Sequence, residues 1–338
     1  MAGGAPARRA LYPGYCSPSM AIIGTAFYKG NSLWQTRRVT LSPASRDDIP
    51  KRSSRAALHH DGTHWLLAPQ ASERTVRPPP GLVPALENAV AILQFLNDTP
   101  PHEAALVDLT TALGISKTHC HSILKTLVHF EWLKFDHRSK TYRLHSGLLS
   151  TASSLLNSPV LEAVRRSLSA LVQRIDIPCL LTQPMDDDTF IVIDKFNGPK
   201  SMEISFPIGH RFPRDACAQM RAYLGWQTPQ RLDLWMEHWT AARYTSKTPL
   251  DAKSIRASVA ATRERGYALS QGEFTEGIMA IALPIFDRDG QVSLIFNCSF
   301  MIDSFLPEEK KVAAEMIRAA TEIHRATLAR PPESFPVL

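Results

Sequence analysis

The sequence predicts an α+β protein: an N-terminal winged helix-turn-helix, a linker helix, and a larger C-terminal domain with helices packed on an antiparallel sheet. Three observations lead there. Helical apolar patterns near residues 84–129 are interrupted by Gly114 and followed by two short strand-like runs. The composition changes near residue 80. Beyond residue 159, long apolar strands are bracketed by amphipathic helices.

The chain has 338 residues, enough for two domains, and 21% charged residues argue against wholesale disorder. No apolar run approaches the roughly 18 residues that span a bilayer. "MAIIGTAF" is soon broken by Tyr28 and Lys29, so it lacks the apolar core of a signal peptide. A cytoplasmic location without membrane contact is the expectation. The five cysteines (Cys16, Cys120, Cys179, Cys217, Cys298) are odd in number, widely spaced and form no CxxC. They read as reduced thiols rather than a disulfide framework.

Residues 1–80 hold 11 Lys/Arg against 4 Asp/Glu, whereas residues 81–338 hold 27 against 28. The basic, proline-bearing 1–80 segment shows no sustained period and reads as a largely disordered extension. It is either an arm that touches DNA phosphates or a dispensable tail from a start codon set too far upstream; the tail is the preferred reading.

Order should begin near Pro84. "ALENAVAILQFLND" sets Leu86, Val90, Leu93 and Leu96 at helical spacing, with Ala89 and Ile92 beside them, and Pro100-Pro101 stops the helix. A second helix is expected over 103–113, with Leu106, Leu109 and Leu113 on one face. Gly114 supplies a tight turn, Ile115 plugs the core, and Ser116 caps a third helix to about His129 that buries Ile123, Leu124 and Leu127. "WLKFD" and "KTYRLH" around "HRS" read as a hairpin, the wing. These elements make residues 81–146 a DNA-binding domain and 147–158 a linker helix ended by Pro159.

The remaining domain, 159–330, opens with a helix carrying Val160, Val164, Leu168, Leu171 and Ile175. Strand-like runs follow at "CLLTQ", "TFIVIDKF" and "SMEISF", then a helical stretch over 215–265. "MAIALPIF" and "VSLIFNCSF" flank the turn "DRDG", and a last helix covers about 307–328.

Local charge is segregated. Residues 81–112 carry no Lys/Arg and four acids, whereas 113–143 carry six Lys/Arg and two acids. A phosphate-facing surface requires this polarity, because counterion release dominates non-specific DNA affinity. The bland counterpart is a solvated basic face. Since the charge coincides with the third helix and the wing, the candidate DNA-binding set is Ser116, Lys117, Thr118, His119, His121, Ser122, Lys125, Arg138 and Lys140.

No GxGxxG, GxxxxGK[ST], GxSxG, HExxH or CxxC occurs, so no catalytic residue, cofactor or metal is expected. His119-Cys120-His121 looks like a ligand cluster, but neighbouring helical side chains diverge by about 100° and cannot converge on one ion. Asp186-Asp187-Asp188 lacks the spacing of a calcium loop and reads as a solvated turn between strands.

Several segments carry a family resemblance: "ALENAVAILQFL", "LTTALGISKTHCHSILKTLVHFEWL" and "YRLHSGLL", then "GHRFPRDACAQMRAYLGW", "IRASVAATRERGYALSQGEFTEGIMAIALPIFDRDG" and "LIFNCSF". From about Leu86 to Leu328 the chain resembles the IclR family of bacterial transcriptional regulators. The resemblance implies a winged helix, a linker helix used in dimerisation, and an effector domain related to GAF and PAS folds. It further implies a small organic-acid or aromatic effector, operator DNA as partner, and assembly as dimer or tetramer. Carried over residue by residue, it places the effector pocket at Ala218, Gln219, Ser270, Ile278, Ala280, Asn297 and Ser299, and Glu273 matches a frequent family acid. The chain departs from the family in having Ser122 where arginine is usual and Ser270 where a relative has an acid. Cys217, Met220 and Arg221 replace the usual threonine or serine, glycine and lysine.

The residues also support a pocket in their own right. Gln219, Ser270, Asn297 and Ser299 are hydrogen-bonding groups set among apolar strands and loops. The opposing placement puts Ser270 on an exposed loop and Asn297 on an outward strand face. Arg211 and Arg214 either receive a carboxylate or stand solvated. The function so implied is a transcriptional regulator whose operator binding answers to a small molecule. The competing reading is a small-molecule-binding protein or enzyme that keeps a degenerate winged helix for protein contacts.

Overall fold

The computed structural model describes residues 59–60, 65–66, 81–199 and 206–338. Nearly all of the 1–80 extension and most of "SMEISF" therefore lie outside the described residues. A two-residue antiparallel pair, β1 (His59–His60) with β2 (Trp65–Leu66), belongs to the unit Met1–Gln70.

In the second unit, Pro84 occupies the first turn of α1 (Pro84–Asp98), where its fixed φ suits the helix and its missing N–H costs nothing. Ile92 and Leu96 enter the core. Leu86 and Val90, expected there too, are 65% and 52% exposed. The reason is length: α1 has 15 residues and its neighbour α2 (Leu106–Leu113) has 8, so the first turns of α1 overreach the partner. The expected start of the second helix is instead a strand, β3 (Glu103–Ala105), and the Asp108 carboxylate then accepts from Ala105 N–H at 2.9 Å.

Gly114 follows at φ 66°, a left-handed turn that glycine enters without penalty. Ser116 Oγ accepts from His119 N–H at 3.4 Å and caps α3 (Lys117–His129). The wing is β4 (Leu133–Asp136) and β5 (Thr141–Leu144). β3 joins it, giving the order β3-β5-β4. Ile92, Leu96, Leu109, Ile115, Cys120, Leu124 and Leu133 form the core of this part.

The linker is two short helices, α4 (Gly147–Thr151) and α5 (Ser153–Leu156), rather than one. Ser153 Oγ donates to Ser150 O at 2.9 Å and Asn157 Nδ2 to Ser153 O at 3.0 Å. Such side chains compete for the backbone and interrupt the helical ladder. Pro159 does not merely end the linker. With Ser158 Oγ accepting from Leu161 N–H at 3.1 Å, it begins α6 (Pro159–Ile175). Val164, Leu168 and Leu171 of α6 are buried, while Val160 is exposed.

The C-terminal sheet is antiparallel throughout, in the order β8-β7-β6-β11-β10-β9. Its strands are β6 (Cys179–Pro184), β7 (Phe190–Phe196), β8 (Arg211–Phe212), β9 (Ala268–Gln271), β10 (Ile278–Phe286) and β11 (Val292–Met301). The helical stretch expected over 215–265 is three helices, α7 (Cys217–Leu224), α8 (Pro229–Glu237) and α9 (Ala252–Arg265), with no helix across 238–251. A short α10 (Ile302–Phe305) and one 3₁₀ turn lead into α11 (Glu309–Thr327). Both faces of β10 are largely buried. α7 packs on β9, β10 and β11, and α11 packs on β10 and α6.

Candidate functional site

Two regions concentrate polar chemistry. On α3, Cys120, Ile123, Leu124 and Leu127 face the core, and Lys117, Thr118, His121, Ser122 and Lys125 are exposed on the other side, with His119 half-buried. The three residues of His119-Cys120-His121 therefore point apart. Cys120 is a packed small residue whose thiol is pushed up by burial. Among the described residues, no three His, Cys, Asp or Glu side chains are placed to hold a metal ion.

Ser116 is exposed, but its hydroxyl serves the helix cap. Ser122 Oγ donates to Thr118 O at 3.1 Å, which leaves its lone pairs outward as acceptors. Arg138 and Lys140 lie in the exposed turn between β4 and β5. Asp136 orders that turn by accepting from Arg138 N–H at 2.7 Å and Ser139 N–H at 3.2 Å. The same backbone bonds hold its carboxyl below the usual carboxylate range.

The second region lies between α7 and the sheet. The register aligns Ser270, Ala280 and Ser299 across β9, β10 and β11, and aligns Ala268, Ala282, Asn297 and Leu180 in the next row. Because side chains alternate along a strand, Ser270, Ile278, Ala280, Asn297 and Ser299 share one face. Gln219 Nε2 reaches Asn297 Oδ1 at 3.5 Å from α7, and Asn297 Nδ2 donates to Ser299 Oγ at 3.3 Å. Ser270 and Asn297 are buried, on a strand and facing α7, not on an exposed loop or an outward face. Ile278, Ala280 and Ser299 keep partial solvent access, whereas Met279, Ile281 and Cys298 on the opposite face have none. Ala218 is buried beside Gln219 at the start of α7, where Cys217 and Met220 are buried as well; burial pushes the Cys217 thiol up to about 12.

The same domain holds charge pairs that the sequence did not disclose. Arg221 grips Glu273 bidentately at 2.5 and 3.0 Å and also donates to Leu269 O. Asp188, expected in a solvated turn, is buried and accepts from Arg214 Nη2 at 2.7 Å and from Arg231. Arg214 also lies over the Trp235 ring at 5.0 Å and donates to Trp235 O and His238 O. It is neither solvated nor free for a carboxylate. Arg211 is exposed and meets Asp187 at 3.5 Å. Tyr244 donates to Asp215 at 2.6 Å and stacks near Phe274, which also faces Phe212; burial, then the bond to Asp215, raises the Tyr244 hydroxyl. Each pair joins residues tens of positions apart, so no local spacing announces it.

A winged helix with an exposed polar third helix, followed by a domain whose sheet sets polar side chains against α7, is the arrangement of a regulator with DNA-binding and effector-binding parts. Residues 85–137 match the IclR helix-turn-helix domain, and residues 152–325, more than half of the chain, match the bacterial transcriptional regulator IclR C-terminal domain. The chain belongs to the IclR family of transcriptional regulators.

Among curated relatives, the HTH-type transcriptional regulator XynR of Escherichia coli K12 is 25% identical over 219 residues, covering 64% of this chain and 86% of XynR. The HTH-type transcriptional regulator KdgR of the same organism is 24% identical over 242 residues, covering 71% and 91%. An IclR transcriptional regulator structure from Alicyclobacillus acidocaldarius superposes with a TM-score of 0.66 at 23% identity, covering 73% of this chain and 99% of that one. These relatives are regulators rather than enzymes. No described helix is long and apolar enough to cross a membrane.

Proposed function

We propose that α3 reads operator DNA through Lys117, Thr118, His119, His121, Ser122 and Lys125, with Ser116 at its cap, while Arg138 and Lys140 of the wing grip phosphates. In this reading residues 81–146 are the DNA-binding domain, 147–158 the linker and 159–330 the effector-binding domain. The effector is a small organic or aromatic acid held by Ala218, Gln219, Ser270, Ile278, Ala280, Asn297 and Ser299. The regulator works as a homodimer or tetramer.

The observation that carries the reading is the chain of hydrogen-bonding groups from Gln219 through Asn297 to Ser299, next to a stretch of sheet face, at Ile278, Ala280 and Ser299, that stays partly open. Such a face offers donors and acceptors to orient a polar ligand among apolar walls. An effector that prefers one of two conformations would shift operator affinity by its differential binding.

A gel-shift titration on the protein's own promoter region, with and without a panel of organic and aromatic acids, tests both halves. Sequence-specific binding at moderate salt that one acid weakens or strengthens at least fivefold is the expected result. Asn297→Ala with Ser299→Ala should abolish that response and keep operator binding. Binding that does not discriminate the promoter from random DNA removes the DNA reading, and an intact response in the double variant removes the pocket reading.

A further inference from the structure

Cys179 opens β6 and Cys298 lies within β11, and the strand register sets them directly opposite each other although they stand 119 positions apart in sequence. Ser299 N–H donates to Pro178 O at 3.4 Å, so the hydrogen bond falls beyond the pair and residues 179 and 298 form a non-hydrogen-bonded pair. At such positions the Cα atoms stand about 4.5 Å apart and both side chains leave the same face. That separation falls within the roughly 4.4–6.8 Å that a disulfide spans. Both residues are buried, at 1% and 0% exposure, which holds the thiols in one packed environment. Of the other described cysteines, Cys120 belongs to the winged-helix core and Cys217 to α7.

The position matters as much as the distance. In the order β8-β7-β6-β11-β10-β9, the β6–β11 pairing is the central seam of the sheet. It consists of four residue pairs, from Ile295 with Thr182 to Cys298 with Cys179. Asn297 and Ser299 of the candidate pocket flank Cys298 on the same strand.

We propose that Cys179 and Cys298 are an oxidative modification site, a dithiol that closes into a cross-strand disulfide and staples the two halves of the sheet together. With a peroxide as oxidant, one thiolate attacks the O–O bond, giving a sulfenic acid and, after proton transfer, water. The second thiolate then displaces water from the sulfenic sulfur. Two electrons leave the thiols, one peroxide is reduced, and two waters are formed. Burial, and then the neighbouring Cys298 thiol, raise the Cys179 thiol well above its ordinary range. The first step is therefore slow, and the site answers sustained oxidant rather than traces.

The test uses the full-length protein, treated with hydrogen peroxide, alkylated under denaturing conditions and digested. The expected result is loss of two alkylatable thiols and a peptide joining Cys179 to Cys298 that dithiothreitol reverses. The thermal midpoint of the oxidised protein should rise by roughly 5–10 °C, because the link closes a long loop of the unfolded chain. Cys217→Ser should keep the linked peptide, and Cys179→Ser and Cys298→Ser should each lose it. The wild-type peptide map needs no variant and decides the matter even if a serine variant folds poorly. Full alkylation of both cysteines after oxidation, or a link from either one to a different cysteine, overturns the proposal.

Discussion

The Arg221 side chain is only 5% exposed, and Glu273 takes two of its nitrogens while the Leu269 carbonyl shares one of them. Removing one partner from such a pair leaves an uncompensated buried charge, which costs far more than the pair itself contributes. Glu273→Ala should therefore destabilise the effector domain by about 3–5 kcal/mol, read as a lowered urea midpoint. The double change Arg221→Met with Glu273→Leu should recover most of that loss. Equal loss in the single and double variants would show that shape, not charge, is what the site requires. His324 offers a second test, through pH. At 5% exposure it accepts from Phe286 N–H at 3.1 Å, packed near the rings of Phe286 and Phe335, and burial lowers it to about 4. The folded state thus prefers the neutral ring, while the unfolded chain takes up a proton below its ordinary value near 6.5. The stabilisation is complete above that pH and is lost as pH falls from about 6.5 towards 4, by at most about 3 kcal/mol. In His324→Gln, which keeps an acceptor but does not titrate, urea midpoints should be flatter across this window. An unchanged slope would remove His324 as the cause.

Elements place these side chains, and their junctions are where a small change has the largest effect. Gly147 begins α4 against the turn that joins α3 to β4, and a Cβ there would lie 2.3 Å from the Glu131 carbonyl oxygen. Gly147→Ala should cost about 2–4 kcal/mol in thermal or chemical unfolding, since backbone has to shift. A loss below about 0.5 kcal/mol would mean that the junction yields freely. Arg165 joins the next pair of elements, donating to Leu156 O at 2.7 Å and to Asp194 at 2.6 Å, so the linker end, α6 and β7 share one side chain. How far the sequence disclosed such elements followed the range of the interactions that form them. α3 was legible because its cap Ser116, the turn at Gly114 and the apolar face of Ile123, Leu124 and Leu127 all lie within a few residues. β3 and β9 were not. Each is three or four residues long, too short to show a period of its own, and is fixed by its partner strand, with Glu103 opposite the distant Arg143 and Ser270 opposite Ala280. Read locally, "EAALVDLTTAL" is a helix from its first residue. The same limit hid the ion pairs. Asp188 meets arginines 26 and 43 positions away, and Arg221 meets Glu273 at 52, so only the folded chain brings them together.

The second unit, from Ala71 to Leu338, has two hydrophobic cores, one in the winged helix and one in the effector domain, and the apolar residues left out of both bear on assembly. Leu82, Val83, Leu86 and Val90 line an open groove of about 540 Å³ along the first turns of α1, and Leu149 and Leu155 of the linker are exposed as well. A contiguous apolar stripe of this kind is costly in water and commonly marks a contact surface. Under the homodimer or tetramer proposed above, two copies would meet a two-fold operator at a fixed spacing, and this stripe is the surface we propose for their contact. Leu86→Glu with Val90→Glu should therefore lower the assembly mass measured by light scattering or sedimentation. Far-UV dichroism and the unfolding midpoint should hold to within about 0.5 kcal/mol, because exposed positions contribute little to the monomer fold. Operator affinity should fall at least tenfold together with the mass, since each half-site then binds alone. Unchanged mass and affinity in a folded double variant would assign the stripe to something other than self-association, and the linker residues Leu149 and Leu155 would then be the next surface to change.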